Sequence, residues 1–314
     1  MQVILGAGGP IANALQKELE VTNEKIRLVS RRTIQASGNT SWQKADLTNY
    51  QETLSAVNNA DVVYLCAGLV YDSLIWQQQW PVIMQNVINA AKANNARLIF
   101  FDNVYMYGLV KGIMTEDTPY NPCSKKGEVR AKIAENLMGE VKAGNIKACI
   151  ARAPDFYGAG TMNSYFDMMV LSKFAKKQSA QWMGNPSALH SFILVSDAAK
   201  AVATLGKNPQ SDQQIWHLPT AKPLSGLSFI NLAAKAFDTK PKFMRVNKLT
   251  LKALGLFNPL IKNSIEMYYQ NEFDYQFNSD KFENTFSLNP TAYQISFQNL
   301  AAASSRNLTT KENI

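Results

Sequence analysis

The chain has 314 residues, 46% hydrophobic and 18% charged, with a formal charge of +8. That length and apolar content exclude global disorder and allow a sizeable core, as one large α/β unit or two domains sharing a cleft. No apolar run approaches the roughly 18 residues of a membrane span, and the two histidines, His190 and His217, lack ligand-spaced companions for a structural zinc.

The positive charge is open to an anionic ligand, a nucleic acid or a solvated surface. The basic residues are scattered rather than blocked, which ranks nucleic acid low. Cys66, Cys123 and Cys149 show no paired spacing and suit a reducing, cytoplasmic compartment. Val3-Ile4-Leu5 already reads as a strand, so no leader is expected.

In chain order, Gln2–Leu5 is a short apolar strand and Pro10–Glu20 a helix with proline in its first turn. Lys25–Ser30 and the weaker Ser41–Ala45 are strands, followed by a helix near Tyr50–Val57. Asp61–Ala67 is a strand of the doubly buried kind. Trp80–Asn94 reads as a helix, Arg97–Asp102 as a strand, Lys126–Lys142 as a helix and Ile146–Ala151 as a strand. This alternation predicts an α/β fold with a doubly wound parallel sheet and right-handed crossovers. Beyond Gly158 the elements shorten, punctuated at Asn185–Ser187 and Leu218–Ser225. The expected division is a nucleotide-binding domain over 1–157 with a return segment at about 190–205. A smaller mixed substrate domain takes 158–189 and 206–314. The tail from Ser304 is polar and expected to fray.

Gly6-Ala7-Gly8-Gly9-Pro10-Ile11-Ala12 follows a strand and opens a helix. Glycine permits the tight turn and lets backbone approach a pyrophosphate, and small Ala12 lets helix and strand pack closely. The helix N-terminus offers N–H groups and partial positive charge to an anion. Gly6, Gly8, Gly9, Pro10, Ile11 and Ala12 are therefore candidate cofactor residues of a Rossmann-type site; the bland alternative is a plain glycine turn. The second strand ends Val29-Ser30-Arg31-Arg32, without the acidic residue that selects NAD. Arg31 suits a 2′-phosphate, so NADP is preferred, with NAD still possible and a surface arginine pair as the alternative. Asp46-Leu47 sits where such folds touch the adenine, although an Asp acting as a helix N-cap looks the same. Ala67-Gly68 ends the fourth strand near the expected cofactor.

These residues resemble the extended short-chain dehydrogenase/reductase superfamily, in its NAD-dependent epimerase/dehydratase branch. Asn86-Val87-Ile88-Asn89 is similar to the family's buried asparagine helix, and Tyr107-Gly108 to its "YG" after the fifth strand. Arg152–Gly158 resembles its "R-P-x-x-YG" segment, which implies a place for Pro154 beside the cofactor. Phe192–Ala199 resembles its "hhhV-x-D-hA" segment, and Ile215–Leu218 fits the strand that follows. The resemblance implies hydride transfer at a carbonyl or alcohol carbon of a small substrate, nucleotide sugars being the commonest, and oxidoreductase or isomerase activity. It also implies a monomer or a homodimer, the dimer pairing the helices at Trp80–Asn94 and Lys126–Lys142 unless their apolar residues face the sheet.

The catalytic Ser-Tyr-Lys set that the resemblance implies is missing. Asn103 stands at the hydroxyl's place and can donate a hydrogen bond to a substrate oxygen; otherwise it stabilises a turn. In one register Lys126 and Arg130 replace the tyrosine and lysine; shifted by one, Gly127 and Ala131 do, and the pair is missing in either. Arg130 can hold a ribose but cannot usefully release a proton. Lys126 is a base only if its pKa is pushed far down, the plainer reading being a solvated lysine beside Lys125. Tyr105, on the loop leaving a strand's carboxyl end, is the other candidate acid. Asp102 is either buried with a shifted pKa or caps the turn after it. Tyr107 and His217 read as core, Trp76, Trp80, Trp182 and Trp216 as core or cleft wall, His190 as facing the substrate cleft, structural or merely exposed, and Asp197 as a helix cap or a substrate contact. The leading expectation is an NADP-dependent oxidoreductase with a non-standard acid. The alternative is a catalytically silent dinucleotide-binding sensor.

Overall fold

The computed structural model describes residues 1–161 and 164–312, with side chains through Arg306. Seven strands form the main sheet: β1 (Gln2–Leu5), β2 (Ile26–Ser30), β3 (Thr40–Lys44), β4 (Val62–Leu65), β5 (Arg97–Asp102), β6 (Ala148–Arg152) and β7 (Ile215–His217). Their spatial order is β7-β6-β5-β4-β1-β2-β3, and every pairing is parallel. The order reverses between β1 and β4, the switch point where ligands of such sheets bind.

Side-chain alternation builds two cores. Val3, Leu5, Val63, Leu65, Leu98 and Phe100 face one way, and Ile4, Val62, Tyr64 and Ile99 the other. Both faces are apolar because helices cover both. On the first face lie α2 (Tyr50–Val57), α3 (Ser73–Ala93) and α4 (Lys125–Lys142). On the second lie α1 (Pro10–Glu20) and α5 (Val195–Lys207). The buried residues of α3 and α4 thus face the sheet.

The differences from the sequence reading have local causes. Helix α3 starts at Ser73 rather than Trp80, because Asp72 Oδ1 caps it by accepting from Leu74 N and Ile75 N. Pro81, which resembles a first-turn residue, lies inside the helix on its exposed face. Strand β4 stops at Leu65, since the chain then turns so that Ala67 packs against Gly6. The polar tail continues a helix over Tyr293–Glu312 rather than fraying from Ser304, anchored where Tyr293, Phe297 and Ala301 recur every four residues in the third core. The chain also returns to the main sheet beyond residue 205, because Ile215–His217 pairs with β6.

The smaller part has its own aromatic core of Phe166, Trp182, Phe192, Phe229 and Phe297. Its strands form only two-stranded pairs, such as Ala180–Met183 with Phe243–Val246. It includes α6 (Gly226–Ala236), a hairpin of α7 (Lys248–Gly255) and α8 (Pro259–Ser264), α9 (Asp280–Phe286) and α10 (Tyr293–Glu312). Helix α9 returns to cover β7, with Phe282 and Phe286 on Trp216 and Lys281 Nζ donating to Ile215 O. Among the described residues no helix is long and apolar enough to cross a membrane, and no cluster of metal-binding side chains occurs.

Candidate active site

The turn after β1 has the geometry of a phosphate cradle. Gly6 and Gly8 adopt φ of 89° and 95°. A β-carbon on Gly6 would lie 2.3 Å from Ala67 Cα, so only glycine fits there. Gly9 is the N-cap of α1 and Pro10 its first residue; no side chain caps the helix and no acid lies in its first turn. The first N–H groups of α1 thus remain for an anion. Ile11 and Ala12 are buried against the sheet. Gly68, by contrast, has open space around it.

The end of β2 carries no carboxylate. Ser30 Oγ accepts from Trp42 Nε1 at 3.0 Å, and Arg31 and Arg32 are exposed. Asp46 does not cap α2, whose N-cap is Asn49. Its Oδ1 instead accepts from Thr48 N and Oγ1, and these bonds, with the Arg31 charge adding to them, hold its carboxyl below the ordinary range. Asn86, on the helix read as the asparagine helix, donates to Leu47 O at 2.9 Å and so fixes that loop. Pro154 is buried directly after β6. The next turn reaches over α1, where a β-carbon on Gly160 would be 3.9 Å from Pro10 Cβ. That turn is braced by Asp167 Oδ2, which pairs with Thr161 Oγ1 and accepts from Gly158 N. Burial pushes the Asp167 carboxyl up to about 6.

The four candidate catalytic residues separate into two groups. Lys126 is fully buried rather than solvated: its Nζ donates to Glu266 Oε1 at 2.6 Å, Asn263 O at 2.7 Å and Ser73 Oγ at 3.2 Å. It clamps the start of α4 to the smaller part. Arg130 is buried too, donating from Nε to Asp102 Oδ1 at 2.7 Å and lying over Trp80 and Phe100. Asp102 is therefore more than a turn cap: it lies between Arg130 and Arg152, whose Nε is 3.6 Å from Asp102 Oδ2. Arg152 continues the network to Tyr107 and Tyr120, and Tyr107 to His217. Burial lowers His217 to about 3, so it stays neutral, its Nδ1 donating to Asn278 O.

Asn103 and Tyr105 instead edge the cleft at the carboxyl end of β5. Asn103 Oδ1 accepts from Tyr105 N at 3.0 Å, while its Nδ2 has no protein partner among the described residues. The Tyr105 ring stacks on Trp76, and its hydroxyl accepts from Tyr71 Oη at 3.3 Å. Burial, reinforced by the Asp155 charge, pushes the Tyr105 phenol well up.

Of the rest of this cluster, sequence reading weighs only His190, and assigns no role to Asp155, Tyr165, Tyr269 or Tyr275. Asp155 Oδ2 is 3.1 Å from His190 Nε2, and His190 is buried against Tyr275 and Phe192 rather than exposed. The Asp155 charge also bears on Tyr71, Tyr165 and Tyr275, whose phenols burial already raises. The hydroxyls of Tyr269 and Tyr275 are buried without a hydrogen-bond partner among the described residues, the Cys123 thiol lying beside that of Tyr269. The available signal was the place of Asp155 just past a strand's carboxyl end. Asp197 caps no helix of its own; it accepts from Thr291 N at 2.6 Å and Oγ1 at 2.9 Å.

Solved structures with this fold include MoeE5 in complex with UDP-glucuronic acid and NAD. It has 16% identity, a TM-score of 0.80, and coverage of 98% of this chain and 99% of that one. The dTDP-glucose 4,6-dehydratase of Bacillus anthracis str. Ames in complex with NAD has 14% identity and a TM-score of 0.81, covering 98% and 97%. The Thermus thermophilus UDP-glucose 4-epimerase complex with NAD has 13% identity and a TM-score of 0.77, covering 97% and 99%. At such identities the likeness is one of fold. A search of curated proteins gave no match. Residues 2–218 match the NAD dependent epimerase/dehydratase family, a span that runs from β1 through β7, and the chain belongs to that family.

Proposed function

We propose that the protein is an NADP-dependent oxidoreductase that reduces a carbonyl carbon of a small substrate, nucleotide sugars being the first class to test. The observation that carries this reading is the uncapped α1 N-terminus behind a glycine that no other residue can replace, at the switch point of the sheet. Gly6, Gly8, Gly9, Pro10, Ile11 and Ala12 would hold the pyrophosphate turn. Arg31 would take a 2′-phosphate, Asp46 and Leu47 would border the adenine, and Ala67, Gly68 and Pro154 would line the cofactor's path. The bound dinucleotide supplies the hydride. The MoeE5 structures with NAD and UDP-glucuronic acid or UDP-glucose support a nicotinamide dinucleotide and a nucleotide-sugar substrate class.

Tyr105 is the proposed proton donor. Tyr71 donates to its oxygen, and the Tyr105 proton has no acceptor among the described residues. The raised phenol stays protonated, so it serves the reductive direction, giving its proton to the oxygen as the carbonyl carbon is reduced. The Asn103 Nδ2 group would donate to the same oxygen. The unpartnered hydroxyls of Tyr269 and Tyr275 fit polar groups of a bound substrate. The silent-sensor reading is favoured by the commitment of Lys126 and Arg130 to buried ion pairs.

Titration with NADPH and NADH, followed by NADPH oxidation across a panel of keto-sugar nucleotides and simple carbonyls, separates the two. Arg31→Ala should weaken NADPH about tenfold or more and leave NADH nearly unchanged, since a charge-assisted phosphate contact is worth about 1.5–3 kcal/mol. Tyr105→Phe should retain cofactor affinity and lower turnover about 10²–10⁴-fold. Binding without turnover on any carbonyl establishes the sensor instead.

A further inference from the structure

The hairpin of α7 and α8 has a surface unlike the rest of the molecule. From Thr239 to Ile265 the sequence holds six basic residues, Lys240, Lys242, Arg245, Lys248, Lys252 and Lys262, and no acidic one. All six are exposed. Arg245 pairs with Glu272, while the five lysines have no acidic partner among the described residues.

The same hairpin exposes its largest apolar side chains. Leu249 is 76% exposed, Leu256 81%, Phe257 89% and Leu260 55%. Leu249 and Leu256 lie seven residues apart on one helical side, with Lys252 between them. These residues are not needed to close the hairpin. Leu251 already packs with Val246 and Tyr268, and α7 and α8 meet where a β-carbon on Gly255 would be 3.2 Å from Lys262 Cα. Single exposed leucines are ordinary, but four large apolar side chains exposed on one short hairpin, in a segment whose only charges are cations, mark a contact surface.

The charge pattern selects the occupant. A second copy seated on this hairpin by two-fold symmetry would set one basic array against another. An anionic lipid surface meets both halves of the pattern: headgroups attract the lysines, and the boundary with the acyl chains takes the apolar tip. We propose that this hairpin docks the protein peripherally on anionic lipid bilayers, with Leu256 and Phe257 entering the headgroup–acyl boundary. Asn263 and Glu266, at the foot of the hairpin, hold Lys126, which ties the hairpin to the start of α4.

The test is co-sedimentation of the full chain with large vesicles of phosphatidylcholine alone or with roughly a third phosphatidylglycerol, at low and high salt. The proposal expects binding to the anionic vesicles only, weakened by salt. It also expects a loss of about tenfold or more in Leu256→Ser/Phe257→Ser, and a similar loss in Lys248→Glu/Lys252→Glu/Lys262→Glu. Because these side chains are exposed, both variants should melt like the parent. No binding by the parent, or equal binding to neutral vesicles, overturns the proposal. A loss in the lysine variant alone overturns it as well, because that is general attraction to polyanions. So does a parent that sediments as an oligomer, without lipid affinity, and is made monomeric by the Leu256/Phe257 substitutions; the hairpin is then a protein interface.

Discussion

One carboxylate, Asp102, faces two guanidiniums inside the protein. Asp102, Arg130 and Arg152 are all nearly inaccessible, and the two arginines come from different elements, α4 and β6. Removing one member of such a set leaves charge buried without its counterion, which costs about 3–5 kcal/mol. Asp102→Asn should therefore lose stability of that order in urea denaturation. The charge on Asp102, rather than its turn bond to Asn103, is what matters, and a turn-only role predicts a far smaller loss. The arrangement also explains why sequence reading set Arg130 at a ribose. Its carboxylate partner lies 28 residues away, at the end of a strand. Nothing local in the sequence records that pairing.

At the scale of elements, the turn at Gly158–Thr161, which lies beside the start of α1, is braced from within by Asp167. The Asp167 pKa of about 6 exceeds the usual aspartate value, so the folded state favours the protonated form. Stability from this group is thus fully present below about pH 4 and is lost as pH rises through about 6. Asp167→Asn should flatten that part of the stability–pH profile and gain about 1 kcal/mol at pH 7.5, with little change near pH 4. Thermal melts across that range check this, and a gain that is independent of pH would refute the assignment. Elements are legible where the apolar period is clear: Pro10–Glu20, Tyr50–Val57 and Arg97–Asp102 lie where the pattern puts them. The start of helix α3 is not, because its signal is the cap of Asp72, well before the apolar run at Trp80.

For the whole molecule, the two halves of the cleft differ in how far sequence reveals them. The phosphate cradle is seven consecutive residues, so its chemistry reads directly. The proposed reaction half gathers Tyr71, Tyr105, Asp155, His190 and Tyr275 from five separate segments, and only tertiary structure brings them together. The same contrast holds for the smaller part, where an aromatic core replaces the regular β-α alternation that makes the main sheet readable.

Connectivity around β7 also sets an order of events at the ribosome. Strand β6 ends at Arg152, but its outer neighbour begins only at Ile215, and the helix that covers β7 ends at Phe286. While the roughly sixty intervening residues are polymerised, about 3–12 s at ordinary translation rates, one flank of β6 has no partner. An open strand edge is a template for wrong pairing. Nascent chains paused in that interval are the species most exposed to aggregation, and a chaperone shielding this flank would raise the yield of folded protein without touching its final stability.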